Sequence, residues 1–355
     1  MSGSEGIKKF FNNKNTKIGL LILVVIIAAA VLGYFLFSKQ NIELSNSNST
    51  KTTGKKVARL LDGVQVDRGN ENIYPIAVMV ENLFTIRPQS GLDKAGVVYE
   101  ALAEGGITRF MAIYSTNEAI AEIGPVRSAR DYYLDWLSEY NALYAHCGGS
   151  PSALGLIKDY DVLNLDQISG DHPYFWRDSS RATASEHTLF TSSELLTFAR
   201  RDKGIPEEGD FKPWPYKEEA SLAERPTEAK KITIDFSIFS YKVEYQYDRD
   251  NNQYLRFNGG EPHLDFKTQK QLTAKNVIVQ YVKTRLADPT RLAMETIGEG
   301  GALVFQDGQM INATWKKEDR ETRTRFYDSN GEEIRFNAGQ IWVEVVPTDR
   351  AVEYN

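Results

Sequence analysis

We expect an α+β protein in which an N-terminal α/β domain is followed by a mostly antiparallel β domain, with one transmembrane helix ahead of both. Three features of the sequence indicate this architecture. An uncharged apolar run occupies residues 18–37. Short apolar segments alternate with helix-start signals within residues 60–205. Segments rich in β-branched and aromatic residues dominate residues 228–350.

The apolar run, IGLLILVVIIAAAVLGYFLF, is long enough to cross a bilayer as a helix of roughly 20 residues. Four lysines precede it and two follow shortly after, so the positive-inside tendency places residues 1–17 in the cytoplasm. Large side chains follow Gly33, where a signal peptide would have its cleavage site. We therefore predict an uncleaved signal-anchor in the cell membrane, with a single pass and extracytoplasmic C-terminal domains.

The composition excludes several classes of protein. The chain has 355 residues, with 42 lysines and arginines against 48 aspartates and glutamates. A net charge of -6 gives no broad basic field, so we expect no nucleic-acid partner. Cys147 is the single cysteine, which excludes an intramolecular disulfide. It also lies too far from the anchor to serve as an N-terminal lipid attachment point.

Changes in composition divide the chain into segments. Residues 40–57 are rich in Ser, Asn, Thr and Lys, which indicates a flexible tether. Prolines and charges within residues 206–227 indicate an irregular crossover. The predicted segments are a cytoplasmic tail (1–17), an anchor (18–37), a flexible linker (38–59), an α/β domain (60–205), a crossover (206–227) and a mostly β domain (228–350).

In the α/β domain, short apolar runs bounded by polar residues predict strands at residues 74–82, 108–115 and 143–147. Residues 96–106 fit either a helix or a strand. In the β domain, strands are expected at 232–239, 242–247, 253–257 and 276–282. Hairpin turns are expected at Asp307-Gly308 and Asn330-Gly331.

Three helix starts are predicted from capping patterns. Ser128 stands three residues before Asp131, which is the spacing of a capping box. Ser150 precedes Pro151, and proline is favoured at the first helical position. Thr191 begins the run TSSE, which repeats the capping-box spacing.

Arg127 and Arg130 lie at the first of these helix starts, where the partial positive charge of the helix disfavours them by a few tenths of a kcal/mol. Guanidinium groups bind phosphate and carboxylate through paired hydrogen bonds. The pair therefore indicates an anion site. The alternative is structural pairing with Glu100, Glu104 or Asp131.

Two further stretches are candidates for the same site. In CGGSPSA, Gly148, Gly149 and Ser150 separate a strand from a helix, where backbone N–H groups approach a bound anion. The alternative is an ordinary tight turn. The loop of residues 170–188 combines aromatic and titratable side chains, which is typical of a binding site, although an ordered surface loop would look the same.

Metal and cofactor sites are not expected. The histidines are His146, His172, His187 and His263, and no two of them have a zinc-ligand spacing. Walker and dinucleotide-binding spacings are also missing from the glycine-containing turn.

Several segments together resemble the YerB-like family of bacterial envelope proteins. They are YPIAVMVEN, VVYEALAEGGITRFMAIY, IGPVRSARDYY, HCGGSP, SEHTLF and RTRFYDSNGEEIRFNAGQIWVEVVP, in this order across about residues 60–350. The resemblance implies an α/β domain and a β domain outside a Gram-positive-type membrane, and no assigned activity. Members of this family look like lipoproteins, whereas this chain has no lipobox cysteine.

A narrower similarity links the chain to the LytR-CpsA-Psr phosphotransferases of cell-wall assembly. Arg109, Arg127, Arg130 and Asp131 occur in a similar order to the arginines that hold polyprenyl pyrophosphate in those enzymes. The acidic metal-binding positions of such an enzyme are not identifiable in this sequence.

We predict a membrane-anchored binding protein of the cell envelope with a basic cleft for an anionic ligand, such as a wall-polymer fragment, a lipid-linked phosphate or a peptide carboxylate. The residues expected to bind it are Arg127, Arg130, Asp131, Gly148, Gly149 and Ser150, with His172, Arg177 and Arg181 on the rim. One alternative is a wall-glycan enzyme or phosphotransferase that uses Asp131 or His172 as its acid–base group. Another is a scaffold that contacts an envelope protein through its β domain.

Overall fold

Strands dominate the protein in the computed structural model, which describes residues 55–355. The strands in chain order are β1 (Lys56–Ala58), β2 (Gln65–Asp67), β3 (Ile76–Glu81), β4 (Val97–Leu102), β5 (Thr108–Tyr114), β6 (Leu143–His146), β7 (Asn164–Asp166), β8 (Trp176–Arg177), β9 (Leu189–Phe190), β10 (Tyr216–Lys217), β11 (Lys231–Asp235), β12 (Lys242–Asp248), β13 (Gln253–Asn258), β14 (Glu261–Pro262), β15 (Thr273–Ala274), β16 (Asn276–Val282), β17 (Thr284–Leu286), β18 (Leu292–Met294), β19 (Gly298–Gln306), β20 (Gln309–Lys317), β21 (Arg325–Tyr327), β22 (Phe336–Asn337), β23 (Ile341–Pro347) and β24 (Val352–Tyr354).

Three α-helices and several short 3₁₀ turns complete the secondary structure. The helices are α1 (Asp131–Ser138), α2 (Pro151–Asp159) and α3 (Ser193–Asp202). The 3₁₀ turns are Phe84–Ile86, Leu92–Lys94, Glu104–Gly106, His172–Tyr174, Ser185–His187 and Phe239–Tyr241.

The central sheet has ten strands in the order β21-β20-β19-β16-β23-β4-β5-β3-β6-β7. β23 pairs in parallel with both β16 and β4, whereas β4, β5 and β3 form antiparallel pairs. All residues of β3, β4, β5 and β23 are buried. Strands covered on both faces are rich in apolar residues along their whole length, as these four are.

A second sheet covers one face of the central sheet. It has the order β14-β13-β12-β11-β24, with β15 also paired to β13, and all its pairs are antiparallel. Alternate residues of β11, β12 and β13 are buried, as expected of strands with one solvated face. Ile232, Val243 and Tyr254 from these strands share a core with Trp342 of β23.

Helices contribute to both faces of the central sheet. Tyr133, Trp136 and Leu137 of α1 and Ile157 of α2 lie in the core on the face away from the second sheet. Leu196 of α3 and its neighbour Ala199 belong to the other core, together with the second sheet. The protein therefore has apolar layers on both sides of the central sheet.

Several predicted elements are confirmed. β3, β5 and β6 coincide with the predicted strands, and 96–106 resolves as strand β4 followed by the turn Glu104–Gly106. The strands at 242–247, 253–257 and 276–282 are also present. Ser150 caps α2, since its hydroxyl accepts a hydrogen bond from the Ala153 N–H at 3.1 Å, and Pro151 is its first residue.

The predicted cap at Ser128 is wrong. Helix α1 begins at Asp131, and Arg130 is its N-cap residue without a side-chain cap. The preceding residues are extended because their backbone amides are used elsewhere: the Arg127 N–H donates to the Met79 carbonyl, and the Ala129 N–H donates to the Gly148 carbonyl, both at 2.9 Å. These long-range bonds move the N-cap by two residues, from Ser128 to Arg130.

The third cap lies one residue later than predicted. Ser192 caps α3, and its hydroxyl oxygen accepts a hydrogen bond from the Leu195 N–H at 3.2 Å. Thr191 instead exchanges backbone hydrogen bonds with Ile123, and its hydroxyl donates to the Tyr174 carbonyl at 2.8 Å. These tertiary contacts use the hydrogen-bonding groups of Thr191, the residue that the capping pattern favoured as the N-cap.

The predicted crossover at 206–227 does not separate two sheets. Strands β16 and β19–β23 come after it in the chain, and all of these except β22 lie in the same sheet as β3–β7. Residues 56–355 form one compact unit. The protein is therefore a mixed α and β structure in which strands dominate.

The predicted tail at 1–17, the anchor at 18–37 and most of the linker at 38–59 lie outside the described residues. Among residues 55–355, no helix has the length and apolar character needed to cross a membrane.

Candidate functional site

A cleft of about 400 Å³ opens at one end of β3 and β5. We name it the arginine cleft, because three arginines, three glutamates and a histidine line it: Arg109, Arg127, Arg130, Glu81, Glu104, Glu186 and His187.

Strand pairing brings the first of these charges together. Glu81 is the last residue of β3 and lies directly opposite Arg109, the second residue of β5. The 3₁₀ turn Glu104–Gly106 joins β4 to β5 and holds Glu104 beside the same end of the sheet. The extended segment before α1 then places Arg127 and Arg130 over it, since the Arg127 N–H is bonded to β3.

Arg109 and Arg130 share one carboxylate. The Arg130 Nε donates to Glu104, and the Arg109 Nη2 lies 3.7 Å from the other oxygen of that group. Each guanidinium also donates to a carbonyl: Arg130 Nη1 to Ala129 at 2.6 Å, and Arg109 Nη1 to Ser128 at 2.7 Å. One negative charge therefore serves two positive charges.

The pKa values reflect this crowding. Burial raises the pKa of Glu104, but the hydrogen bond and charge of Arg130 and the charge of Arg109 outweigh it, so that the pKa of Glu104 lies below its ordinary value. Burial and then the charge of Arg130 lower the pKa of Arg109, against the attraction of Glu104. Two guanidiniums this close favour a further anion.

Arg127 contacts two glutamates. Its Nε lies 3.1 Å from Glu81 Oε1, and its Nη2 lies 3.3 Å from Glu186 Oε1. The other oxygen of Glu81 lies 2.7 Å from His187 Nδ1. The Glu81 side chain is buried, whereas that of Glu186 is 62% exposed. Glu186 is therefore the partner of Arg127 that solvent screens most.

The charges that line the cleft balance in number, because three guanidiniums face the carboxylates of Glu81, Glu104 and Glu186. A ligand anion would therefore take the place of one of these carboxylates, and the most exposed of them is Glu186. Glu186 stands at the rim, where a ligand carboxylate or phosphate would replace it on Arg127 without exposing a buried charge. Guanidinium groups bind both kinds of anion through paired hydrogen bonds.

The glycine turn and Asp131 are occupied by contacts within the protein. The Gly148 N–H donates to Asp166 at 2.7 Å, and the Ser150 N–H donates to the Ala129 carbonyl at 3.3 Å. Asp131 accepts a hydrogen bond from the Ser150 hydroxyl at 2.7 Å. The anion held at the turn is therefore the carboxylate of Asp166, and these residues, with Gly149, do not line the cleft.

The predicted rim residues also lie elsewhere. His172 is exposed and its Nδ1 lies 2.6 Å from the Gln167 carbonyl oxygen. Arg177 is exposed and donates to the Ser185 carbonyl. Arg181 is held in place by a 2.6 Å bond to Glu122 and by the rings of Phe190 and Phe266. Of the predicted residues, the cleft thus brings together only Arg127 and Arg130.

Sequence reasoning did not assign Glu81 to this site. Arg109 was named only through the similarity to the LytR-CpsA-Psr phosphotransferases, and Glu186 and His187 only as members of the candidate loop of residues 170–188. A second signal for Arg109, and the one signal for Glu81, is a position at the end of a predicted strand, which becomes a prediction only if the two strands are known to pair. Glu104 appeared as a structural partner of the arginines, and that pairing with Arg130 is present. Within residues 55–355, no three His, Cys, Asp or Glu side chains are grouped as metal ligands.

Comparisons with known proteins identify the chain's relatives. Residues 61–206 match the family described as "Protein of unknown function (DUF3048) N-terminal domain", and residues 232–343 match its C-terminal domain. The chain is 29% identical over 311 residues to "Putative lipoprotein YerB" of Bacillus subtilis strain 168, which covers 86% of this chain and 91% of the relative.

A solved structure gives the same result. The crystal structure of the YerB protein from Bacillus subtilis is similar with a TM-score of 0.75 and 28% sequence identity. The match covers 84% of this chain and 100% of the crystallised one. By its sequence and its fold, this chain belongs to the DUF3048 family of YerB-like proteins.

Proposed function

We propose that this chain is a membrane-associated, extracytoplasmic protein of the bacterial envelope that binds an anionic ligand in the arginine cleft. Its relative in Bacillus subtilis is named as a lipoprotein, which supports the location. Because the single cysteine of this chain is Cys147, we propose the apolar run at 18–37 as its attachment to the membrane.

One observation carries the binding proposal: Arg109 and Arg130 share the carboxylate of Glu104. A second carboxylate beside Arg109 would separate the like charges of the two guanidiniums, and a bound anion supplies it. The Arg109 side chain is 10% exposed and the Arg130 side chain 13%, so water screens their repulsion only weakly.

Arg127 supplies the contact that the ligand would gain at the rim. Its Nη2 faces the exposed Glu186 at 3.3 Å, which is longer than a strong charge-assisted hydrogen bond. Exchange of Glu186 for a ligand phosphate or carboxylate costs little, because an exposed pair contributes about 0–1 kcal/mol.

The test uses the fragment of residues 56–355. This fragment is one compact unit, and the crystallised relative, which this chain covers completely, was solved as a separate chain of similar extent. At low salt, phosphate or pyrophosphate at about ten times its Kd should raise the melting temperature by roughly 3 °C. Arg127→Gln should remove this rise while the variant still melts cooperatively.

Arg325→Gln is the matched control. The Arg325 side chain is 24% exposed like that of Arg127, and it also pairs with a glutamate, Glu333, at 2.8 Å. The control should keep the full rise in melting temperature. A wild-type fragment that shows no rise, or equal losses in both variants, would refute an anion site in the arginine cleft.

A further inference from the structure

A second hollow, of about 350 Å³, lies beside the arginine cleft. We name it the apolar groove. Most of its wall is apolar, and the side chains that matter here are Phe84, Pro88, Phe239, Pro262 and Leu264.

The two hollows are separated by one short segment. Asn82 and Leu83 line the cleft, and the next residue, Phe84, lines the groove. Arg87 belongs to the wall of the groove, and its Nε donates to Asn82 Oδ1 at 2.8 Å. The two hollows therefore lie on either side of the segment of residues 82–87.

A hydrogen bond joins a second part of the cleft wall to the groove. The Ser237 hydroxyl donates to the Gly106 carbonyl at 2.5 Å, and Gly106 belongs to the turn Glu104–Gly106 that holds Glu104 in the cleft. The residues after Ser237 form the 3₁₀ turn Phe239–Tyr241 of the groove. The walls of both hollows thus belong to one continuous set of contacts.

The groove leaves aromatic rings in water. Phe239 is 66% exposed and Phe84 is 51% exposed. Grouped exposed apolar side chains on a soluble protein mark a binding surface more often than isolated ones do. Phe84 directly follows Leu83 of the arginine cleft, so a hollow lined by arginines adjoins an apolar one.

We propose that the two hollows bind one amphiphile, with its phosphate head in the arginine cleft and its hydrocarbon chain in the apolar groove. This inference rests on the proposed function and names its ligand class, an alkyl or prenyl phosphate bound as a single molecule. The head forms ion pairs with the cleft arginines, and the chain covers Phe84 and Phe239. Each buried methylene group contributes about a fourfold gain in affinity.

The experiment compares probes that share a head. Decyl phosphate, below its micelle concentration, and methyl phosphate are titrated into the 56–355 fragment by calorimetry. Decyl phosphate should bind at least about 100-fold more tightly, which at about fourfold per methylene group corresponds to burial of roughly three to four of them. Decanol, which has the chain without the head, should bind at least about tenfold more weakly than decyl phosphate.

Two variants divide the contributions. Phe239→Ser should weaken decyl phosphate by about tenfold and leave methyl phosphate unchanged, because it removes an aromatic contact from the chain alone. Arg127→Gln should weaken both phosphates. Leu286→Ser is the matched control, since Leu286 is 67% exposed and lines neither hollow, and it should change neither affinity.

The outcomes separate this inference from the proposed function. Equal affinities for decyl and methyl phosphate, both lost in Arg127→Gln, would overturn the amphiphile and leave the anion site in place. No binding of either phosphate would overturn both. A third outcome concerns vesicles of phosphatidylglycerol and phosphatidylcholine. If Phe239→Ser weakens association with these vesicles but leaves the affinity for monomeric decyl phosphate unchanged, the groove contacts a membrane surface and the single-ligand proposal is overturned.

Discussion

Glu104 connects the stability of the arginine cleft to its affinity for anions. It lies in a turn between two strands and pairs with Arg130, which stands at a helix start where arginine is disfavoured by the helix dipole. Its negative charge therefore stabilises the fold. The same charge repels a ligand anion from Arg109 and Arg130.

Glu104→Gln should change stability and affinity in opposite directions. Loss of the carboxylate leaves Arg109 and Arg130 without their shared partner, so the free energy of unfolding should fall by about 1–3 kcal/mol. Phosphate should bind about three- to tenfold more tightly, because one competing negative charge is gone. Urea denaturation and calorimetry on the 56–355 fragment measure the two effects.

Glu186→Gln is the comparison for this variant. Its carboxylate also faces an arginine of the cleft but is largely exposed, so affinity should rise while the free energy of unfolding changes by less than about 0.5 kcal/mol. If Glu104→Gln lowers the free energy of unfolding but leaves the phosphate affinity unchanged, the cleft arginines stabilise the fold and do not bind the anion.

The hairpin of β19 and β20 is an element whose turn depends on two residues. Asp307 has φ 53° and Gly308 has φ 70°, as a two-residue turn with the right-handed strand twist requires. Asp307 also accepts hydrogen bonds from Asn252 and Asn337, at 2.7 and 2.8 Å. A Cβ atom on Gly308 would lie 2.4 Å from the ring of Tyr247.

Gly308→Ala should lower the free energy of unfolding by about 2–4 kcal/mol, through left-handed backbone strain and the clash with Tyr247. Gly155→Ala is the control of opposite sign. Gly155 lies inside α2 with open space around its Cβ position, so alanine should raise stability by about 0.5–1 kcal/mol. Equal effects of the two variants in urea denaturation would contradict this account of the turn.

Across the whole molecule, one buried ion cluster ties the second sheet to the central sheet. Glu100 of β4 and Glu344 of β23 lie directly opposite each other in parallel strands, where two like charges repel. Arg256 of β13 reaches both: it pairs with Glu100, and its Nη1 lies 2.7 Å from Glu344. All three side chains are fully buried.

This cluster predicts a stability that declines with rising pH. Burial raises the pKa of Glu344, Arg256 lowers it and Glu100 raises it, and the balance leaves a pKa of about 8. The folded protein then holds a proton that an unfolded glutamate releases near pH 4.3. The stabilisation is complete below that pH and is lost as the pH rises toward 8, by about 1.4 kcal/mol per pH unit.

Glu344→Gln should flatten this decline between pH 5 and 8, because glutamine resembles the protonated carboxyl and does not titrate. Urea denaturation at several pH values tests it. Glu244→Gln is the control. Burial raises the pKa of Glu244, but the hydrogen bonds and charges of Lys231 and Lys242 outweigh burial and lower the pKa. The contribution of Glu244 to the free energy of unfolding is therefore lost only as the pH falls, and Glu244→Gln should leave the decline between pH 5 and 8 unchanged. A decline of unchanged slope in Glu344→Gln would refute a protonated Glu344 in the folded protein.

The features that could be predicted from the sequence are those that depend on residues close together in the chain. The strands 76–81, 108–114 and 276–282 and the Ser150 cap were predictable, because burial patterns and caps depend on residues within a few positions of one another. The hairpin at Asp307-Gly308 was predictable for the same reason.

Pairing between distant segments was not predictable, because its hydrogen bonds join residues that no local pattern connects. β23 lies beside β4, although about two thirds of the chain separates them, and this register alone brings Glu344 to Glu100. In the same way, sequence pointed to Arg127 and Arg130 as cleft residues and to Glu104 as a structural partner, but only the strand order showed that Glu81 and Arg109 lie beside them. The sequence by itself therefore identified charged candidate residues, and only the tertiary structure determined which of them lie together.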